Sequence, residues 1–126
     1  MKDNSTEFQT LTFEIKDNIG LVTLNRPESK NALDLPMRAD LTKVILDIRH
    51  NADIAALVIT GSGGAFCAGG DLKSLSEARR PTTTNRTRIQ DLHLWFRELV
   101  DLELPVISAV DGPAFGAGFN LALAAD

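Results

Sequence analysis

Several classes of protein need residues that this chain has in short supply. Among its 126 residues are one cysteine and two histidines. An intrachain disulfide is therefore excluded, no recognisable zinc cluster can form, and we expect no metal site. The single cysteine weakly favours a reducing compartment. Thirteen Lys and Arg oppose 17 Asp and Glu, giving a net charge of −4. This balance argues against a nucleic-acid partner, because nucleic-acid-binding domains present a basic face.

Long uninterrupted apolar runs are also missing. The N-terminal sequence MKDNSTEFQT has no apolar core of the kind a signal peptide requires. The most apolar stretch, 104–125, is broken by Ser108, Asp111, Pro113 and Asn120, so it does not predict a membrane span. Without a targeting or membrane signal, we expect a cytoplasmic location and no membrane partner.

Short apolar segments predict four strands in a chain of ordinary globular composition, 44% hydrophobic and 24% charged. Apolar and polar residues alternate over 11–16, which predicts a half-buried strand. A turn at 17–20 and a returning strand at 21–24 complete a hairpin. The runs 55–59 and 105–110 are apolar and followed by glycine-rich loops, which is typical of buried, parallel strands.

Helical spacing separates these strands. Asp34 is a candidate N-cap for a helix over 35–50, whose apolar residues recur every three or four positions. A short helix is predicted near 72–79, a longer amphipathic one over 85–102, and a last one from Phe119. Strands separated by helices need crossover connections, so the order predicts an α/β fold with a parallel component in a single domain.

Two glycine-rich loops, 60–70 and 112–118, each follow a predicted strand and precede a helix. Phe66 stands where a dinucleotide fingerprint needs glycine, and Gly70-Asp71 stands where a P-loop needs lysine and a hydroxyl. The nucleophile-elbow pattern G-x-S-x-G is absent from the sequence. Two interpretations remain open: paired backbone N–H donors that form an oxyanion hole, or tight turns at strand ends.

Four segments of the chain resemble the enoyl-CoA hydratase/isomerase, or crotonase, family. They are LNRP at 24–27, NAL at 31–33, GAFCAGGDLK at 64–73 and PVISAVDGPAFGAG at 105–118. Each motif alone is weak, but the four occur in the family's order and at similar separations. The resemblance implies an α/β fold that is a crotonase-like spiral of ββα units, of which this chain forms only the N-terminal part.

The resemblance also implies a domain organisation. We expect residues 1–9 to be a disordered N-terminus and residues 10–126 to be the N-terminal portion of an acyl-CoA-binding domain in a truncated chain. Members of the family are longer, and their C-terminal part supplies trimer contacts. The implied assembly is therefore a homotrimer or a dimer of trimers, and the segment alone is expected to be inactive.

The site that the resemblance implies holds an acyl-CoA, so coenzyme A enters as part of the substrate and no separate cofactor is expected. The thioester oxygen would lie between the backbone N–H groups of Gly70 and Ala117, which would stabilise an enolate. Positions that match coenzyme contacts in the family are Arg26, Lys30, Ala32, Leu33, Ala68, Gly69, Asp71, Leu72 and Lys73. The three basic residues are phosphate ligands or solvated surface charges, and Asp71 is alternatively a helix cap.

One position departs from the hydratase pattern. Hydratases of the family use two glutamates, the first placed two residues after the G-x-G turn, where this chain has Asn120. An asparagine cannot exchange protons, although it can orient water or substrate. This departure favours double-bond isomerisation over hydration of an enoyl-CoA. A non-catalytic acyl-CoA-binding member or inactive fragment, and a CoA-thioester hydrolase or dehalogenase on the same scaffold, remain alternatives.

Cys67 and His93 carry the two remaining candidate chemical groups. Cys67 lies in the first glycine-rich loop, but no base stands near it in the sequence, so it is not predicted to be a nucleophile. His93 falls beside the apolar stripe of a predicted helix, and it is predicted to lie at the surface or at its boundary, without a functional partner.

Overall fold

A β-hairpin begins the fold in the computed structural model, which describes residues 8–70 and 82–126. Strands β1 (Leu11–Lys16) and β2 (Ile19–Leu24) pair antiparallel. Asp17 and Asn18 join them, with φ angles of 52° and 64°, the left-handed conformations that a two-residue hairpin turn requires and that Asn and Asp tolerate. Because the turn is this short, β2 begins at Ile19, two residues before its predicted start.

The sheet continues from the hairpin with parallel strands. Strand β3 (Ala56–Gly61) pairs parallel with β2, and β4 (Val106–Ala109) pairs parallel with β3, so the strand order is β1-β2-β3-β4. The predicted parallel component is thus confirmed. The prediction that β4 is buried is wrong for part of the strand: Val106 is buried, but Ile107 is 52% exposed. In the described residues β4 lies at the sheet edge.

Within residues 8–70 and 82–126, three α-helices flank the sheet. Helix α1 (Leu35–Arg49) begins where the Asp34 carboxylate accepts a hydrogen bond from the Met37 N–H at 2.9 Å, which confirms the predicted N-cap. Helix α2 (Thr82–Val100) starts three residues before its predicted beginning, and α3 (Ala117–Leu123) starts two residues before Phe119. The predicted helix at 72–79 lies outside the described residues.

The core lies between the sheet and the helices. Side chains from α1 recur on one buried face, as the spacing predicted: Met37, Leu41, Val44, Ile45 and Ile48. They join buried side chains from β1, β2 and β3 and from Trp95 and Leu99 of α2. This face anchors α1, because the burial of such side chains is the main term that stabilises an amphipathic helix.

The start of the described chain is tied to α1. Phe8 is buried, and the Asp40 carboxylate accepts hydrogen bonds from the backbone N–H groups of Gln9 and Thr10 at 3.0 and 2.9 Å. The Thr10 hydroxyl donates to the same oxygen at 2.7 Å. The structure therefore corrects the expected disordered segment 1–9 at Phe8 and Gln9, because these contacts order both residues; residues 1–7 lie outside the described chain.

No helix in the described part of the chain is both long and apolar enough to cross a membrane.

Candidate functional site

The buried side chain of Asn31 holds two loops together. Its Nδ2 donates to the carbonyl oxygens of Ser62 and Ala65, each at 3.0 Å, and to that of Phe66 at 3.3 Å. Its Oδ1 accepts a hydrogen bond from the Arg26 N–H at 2.8 Å. Asn31 itself has φ 58°, a left-handed conformation that asparagine tolerates better than most residues. The loop after β2 is thus fastened to the glycine-rich loop after β3.

Backbone hydrogen bonds extend this contact between the loop after β2 and the glycine-rich loop after β3. The Ala68 N–H donates to the Lys30 carbonyl at 2.9 Å, and the Leu33 N–H donates to the Gly69 carbonyl at 2.7 Å. The fold therefore brings together four residues that the family resemblance assigns to coenzyme binding. Ala32 and Leu33 have buried side chains, so any ligand contact from them would use backbone atoms.

Arg26 lies among carboxylates. Its Nε is 2.6 Å from Glu28 Oε1, and its Nη1 is 3.4 Å from Asp34 Oδ2. The pKa of the Glu28 carboxyl is lowered by a hydrogen bond from the Glu28 backbone and by a second one from the Arg26 side chain. A phosphate would compete with these two carboxylates for the Arg26 guanidinium. The Lys30 side chain, by contrast, is exposed to solvent. Asp71, Leu72 and Lys73, the remaining predicted contacts, lie outside the described residues.

The two glycine-rich loops meet beside α3. Cys67 and Ala114 form a parallel bridge, and the Phe115 N–H donates to the Cys67 carbonyl at 3.0 Å. Gly69 has φ 85°, and a Cβ there would lie 2.5 Å from the Phe115 carbonyl oxygen and 3.2 Å from the Ala117 nitrogen. Only glycine permits so close an approach. Gly69 therefore brings its neighbour Gly70 to the first residue of α3.

Two backbone N–H groups, those of Gly70 and Ala117, lie where the glycine-rich loops meet. Ala117 is the first residue of α3, so its N–H has no intrahelical acceptor. Within the described residues, neither the Ala117 N–H nor the Gly70 N–H donates a backbone hydrogen bond. Backbone N–H groups of this kind are the donors that an oxyanion hole uses.

Helix α3 also packs closely against the first glycine-rich loop, at Gly118 and Cys67. A substitution at Gly118 tests how close this contact is. A Cβ at Gly118 would lie 2.2 Å from the Cys67 carbonyl oxygen. We therefore expect Gly118→Ala to lower the free energy of unfolding by about 2–3 kcal/mol, as overpacking does, although alanine ordinarily favours a helix over glycine. Urea denaturation measures the change.

The matched control for Gly118 is a glycine with open surroundings. Gly64 has φ 88° and nothing within 4 Å of an added Cβ. Gly64→Ala should cost only the left-handed strain of about 1–2 kcal/mol. A stabilised Gly118→Ala variant would contradict the close contact.

A cavity of about 450 Å³ opens between α2 and α3 next to the junction. Its lining is His93, Phe96, Ala117, Asn120, Leu123 and Ala124. The structure thus brings the predicted oxyanion donor and the asparagine of the altered motif to one cavity. The sequence prediction missed His93 and Phe96 as part of this wall. Their i, i+3 spacing, which places both on one face of a helix, was the available signal.

The remaining chemical groups are less suited to catalysis. Cys67 is buried, and desolvation raises the pKa of its thiol, which keeps it protonated and weakly nucleophilic. Among residues 8–70 and 82–126, no three His, Cys, Asp or Glu side chains are placed to hold a metal ion.

Known structures share this fold. The chain superimposes on a crystal structure of an enoyl-CoA hydratase/isomerase from Xanthobacter autotrophicus with a TM-score of 0.89 and 31% sequence identity. The match covers 94% of this chain and 46% of that one. The chain therefore has the crotonase fold, of which it forms the N-terminal part.

Sequence comparison shows the family. The model of the family "Enoyl-CoA hydratase/isomerase" matches residues 14–126, and the chain belongs to this family. A probable enoyl-CoA hydratase from Rhodobacter capsulatus is 42% identical over 120 residues, which are 94% of this chain and 45% of that protein. A relative from Dictyostelium discoideum, 37% identical over 95% of this chain and 42% of its own length, is described as a probable mitochondrial enoyl-CoA hydratase. The chain spans less than half the length of these curated relatives.

Proposed function

We propose that the whole protein binds an acyl-CoA thioester and converts an enoyl-CoA through a thioester enolate. The observation that carries this proposal is the contact between the two glycine-rich loops, where Gly69 abuts Phe115 and Ala117. That contact supports a pair of donors, the N–H groups of Gly70 and Ala117, for the thioester oxygen. Family membership supports the class of substrate.

The proposed donors act on charge that develops during the reaction. Loss of a proton next to the thioester carbonyl moves negative charge onto its oxygen, and two preorganised N–H groups stabilise that charge. One such donor contributes about 3 kcal/mol, or about a hundredfold in rate. The alanine and glycine residues at the junction leave room for the thioester to approach the backbone.

The loop that Asn31 fastens is the proposed contact for coenzyme A. Lys30 is its exposed cation, and its backbone pairs with Ala68 beside Gly69. We extend the contact to Asp71, Leu72 and Lys73 from the family motif alone. In the same way, a cytoplasmic location and a trimer or dimer of trimers are proposals for the whole protein.

Isomerisation is the proposed reaction, because Asn120 lines the cavity and stands at the sequence position where the hydratase motif of the family has a glutamate. The whole protein should convert 3-enoyl-CoA to 2-enoyl-CoA at least about tenfold faster than it hydrates 2-enoyl-CoA. Asn120→Glu should raise the hydration rate, because general acid–base catalysis contributes about 10²–10⁴-fold. Absorbance of the conjugated thioester follows both reactions.

Controls separate the alternatives. Asn120→Gln keeps an amide and should leave hydration slow. Faster hydration than isomerisation by the unaltered protein would contradict the proposed reaction. Saturable acyl-CoA binding without turnover would establish the second candidate, a non-catalytic acyl-CoA-binding protein, which the carboxamide of Asn120 favours. Release of free coenzyme A would instead indicate a hydrolase.

A further inference from the structure

The cavity between α2 and α3 has one wall that the family motifs do not account for. Helix α3 contributes Ala117, with its proposed oxyanion donor, and Asn120; helix α2 contributes His93 and Phe96 from across the cavity. An acyl chain whose thioester oxygen is held at Ala117 would extend beside these side chains. The carbon atoms next to the thioester would then lie within the space that His93 borders.

Two polar side chains line this cavity in the described part of the chain, and they differ in chemistry. The carboxamide of Asn120 donates and accepts hydrogen bonds, but it does not take up or release a proton at neutral pH. The other polar side chain is the imidazole of His93, and histidine is the side chain used most often for proton transfer in enzymes. Among the described lining residues, His93 is the one side chain that can move a proton.

We propose that His93 is a catalytic residue that shuttles a proton during enoyl-CoA isomerisation, a role that rests on the proposed function. The neutral imidazole removes a proton from C2 of a 3-enoyl-CoA. The electron pair of that C–H bond forms the C2–C1 double bond of a dienolate, whose oxygen the N–H groups of Gly70 and Ala117 hold. The imidazolium then returns the proton to C4. The C3–C4 double bond becomes C2–C3, and the imidazole is neutral again.

Asn120 has a distinct part in this scheme. Asn120 lies on the facing wall and neither takes up nor gives a proton, so the imidazole alone carries the proton from C2 to C4. The Phe96 ring supplies an apolar surface for the acyl chain. The departure from the hydratase motif and the presence of a histidine on the facing helix thus fit one reaction.

The experiment compares His93→Gln and His93→Ala with the unaltered whole protein on 3-enoyl-CoA. Each variant should lose about 100-fold or more in kcat, the range for a lost general acid–base group, with KM changed less than about threefold. Added imidazole should restore part of the activity of His93→Ala, an effect that a merely structural side chain would not show. His50→Gln, at the C-terminal end of α1, is the matched control and should keep full activity.

The outcomes distinguish the two proposals. An active protein whose His93 variants keep kcat within about threefold, or fail to respond to imidazole after a loss, would overturn the role of His93 and leave the proposed function standing. If the His93 variants keep their kcat, the proton-transfer group lies elsewhere in the whole protein. An unaltered protein that turns over no enoyl-CoA would overturn both proposals.

Discussion

Replacing Ala117 with proline is expected to lower kcat for enoyl-CoA conversion by about 100- to 1000-fold, the cost of one lost oxyanion donor. Proline has no N–H, so the substitution removes the proposed donor from the backbone. The first position of a helix is where proline fits best, because its fixed φ suits the helix and its missing N–H has no intrahelical partner. Gly116, which precedes it, has φ 53° and ψ −124°, outside the α region that a following proline disfavours.

The control for this substitution is Ala117→Gly, which keeps the N–H and should retain activity within about tenfold. Steady-state kinetics on the whole protein give kcat, and thermal unfolding of both variants shows that the fold persists. Unchanged kcat in a folded Ala117→Pro variant would contradict the oxyanion role of this residue. That result would leave the assignment of the fold unchanged.

The second large effect is expected at Asn31. Replacing it with aspartate should lower the free energy of unfolding by about 3–5 kcal/mol at pH 7, the cost of leaving a buried charge uncompensated. The Nδ2 atom that donates to three carbonyl oxygens would become an oxygen that cannot donate, facing the same three carbonyls. The loss should be smaller near pH 4, because a protonated carboxyl can donate one hydrogen bond.

Asn31→Gly separates the hydrogen bonds from the backbone strain. Glycine adopts the left-handed conformation of this position freely, so its cost reports the lost side-chain bonds, about 1–3 kcal/mol for the buried groups left unpaired. Urea denaturation at pH 7 and near pH 4 gives the free energy of unfolding of the unaltered protein and of the two variants. Equal stability of Asn31→Asp and the unaltered protein at pH 7 would mean that the carboxamide does not hold the two loops.

Local signals predicted the elements that depend on neighbouring residues. Asp34 capped its helix as its side chain and position indicated, and the apolar stripe from Met37 to Ile48 faces the core. These features depend on contacts within three or four residues, which a sequence displays directly. The hairpin was also predicted, although its turn is tighter than 17–20.

Long-range contacts were harder to predict. No local pattern shows that the Ala68 N–H meets the Lys30 carbonyl, or that β4 lies at an edge with Ile107 exposed. The family motifs predicted roles for Ala117 and Asn120, but they carried no information about the facing helix. His93 is exposed, as predicted, but its place beside the cavity was not predicted. The side of α2 that faces α3 is set by tertiary packing, which helical spacing does not specify.

The position of Cys67 gives the molecule a built-in reporter. This buried thiol, the sole sulfhydryl in these 126 residues, sits where the two glycine-rich loops adjoin, and its backbone bonds to both Pro113 and Phe115. A thiol reagent reaches Cys67 only when the two loops separate. The rate of labelling under native conditions therefore measures how often the loops open. Acyl-CoA bound at the proposed site, across the two loops, should slow that labelling, so the labelling rate would report site occupancy without catalytic turnover.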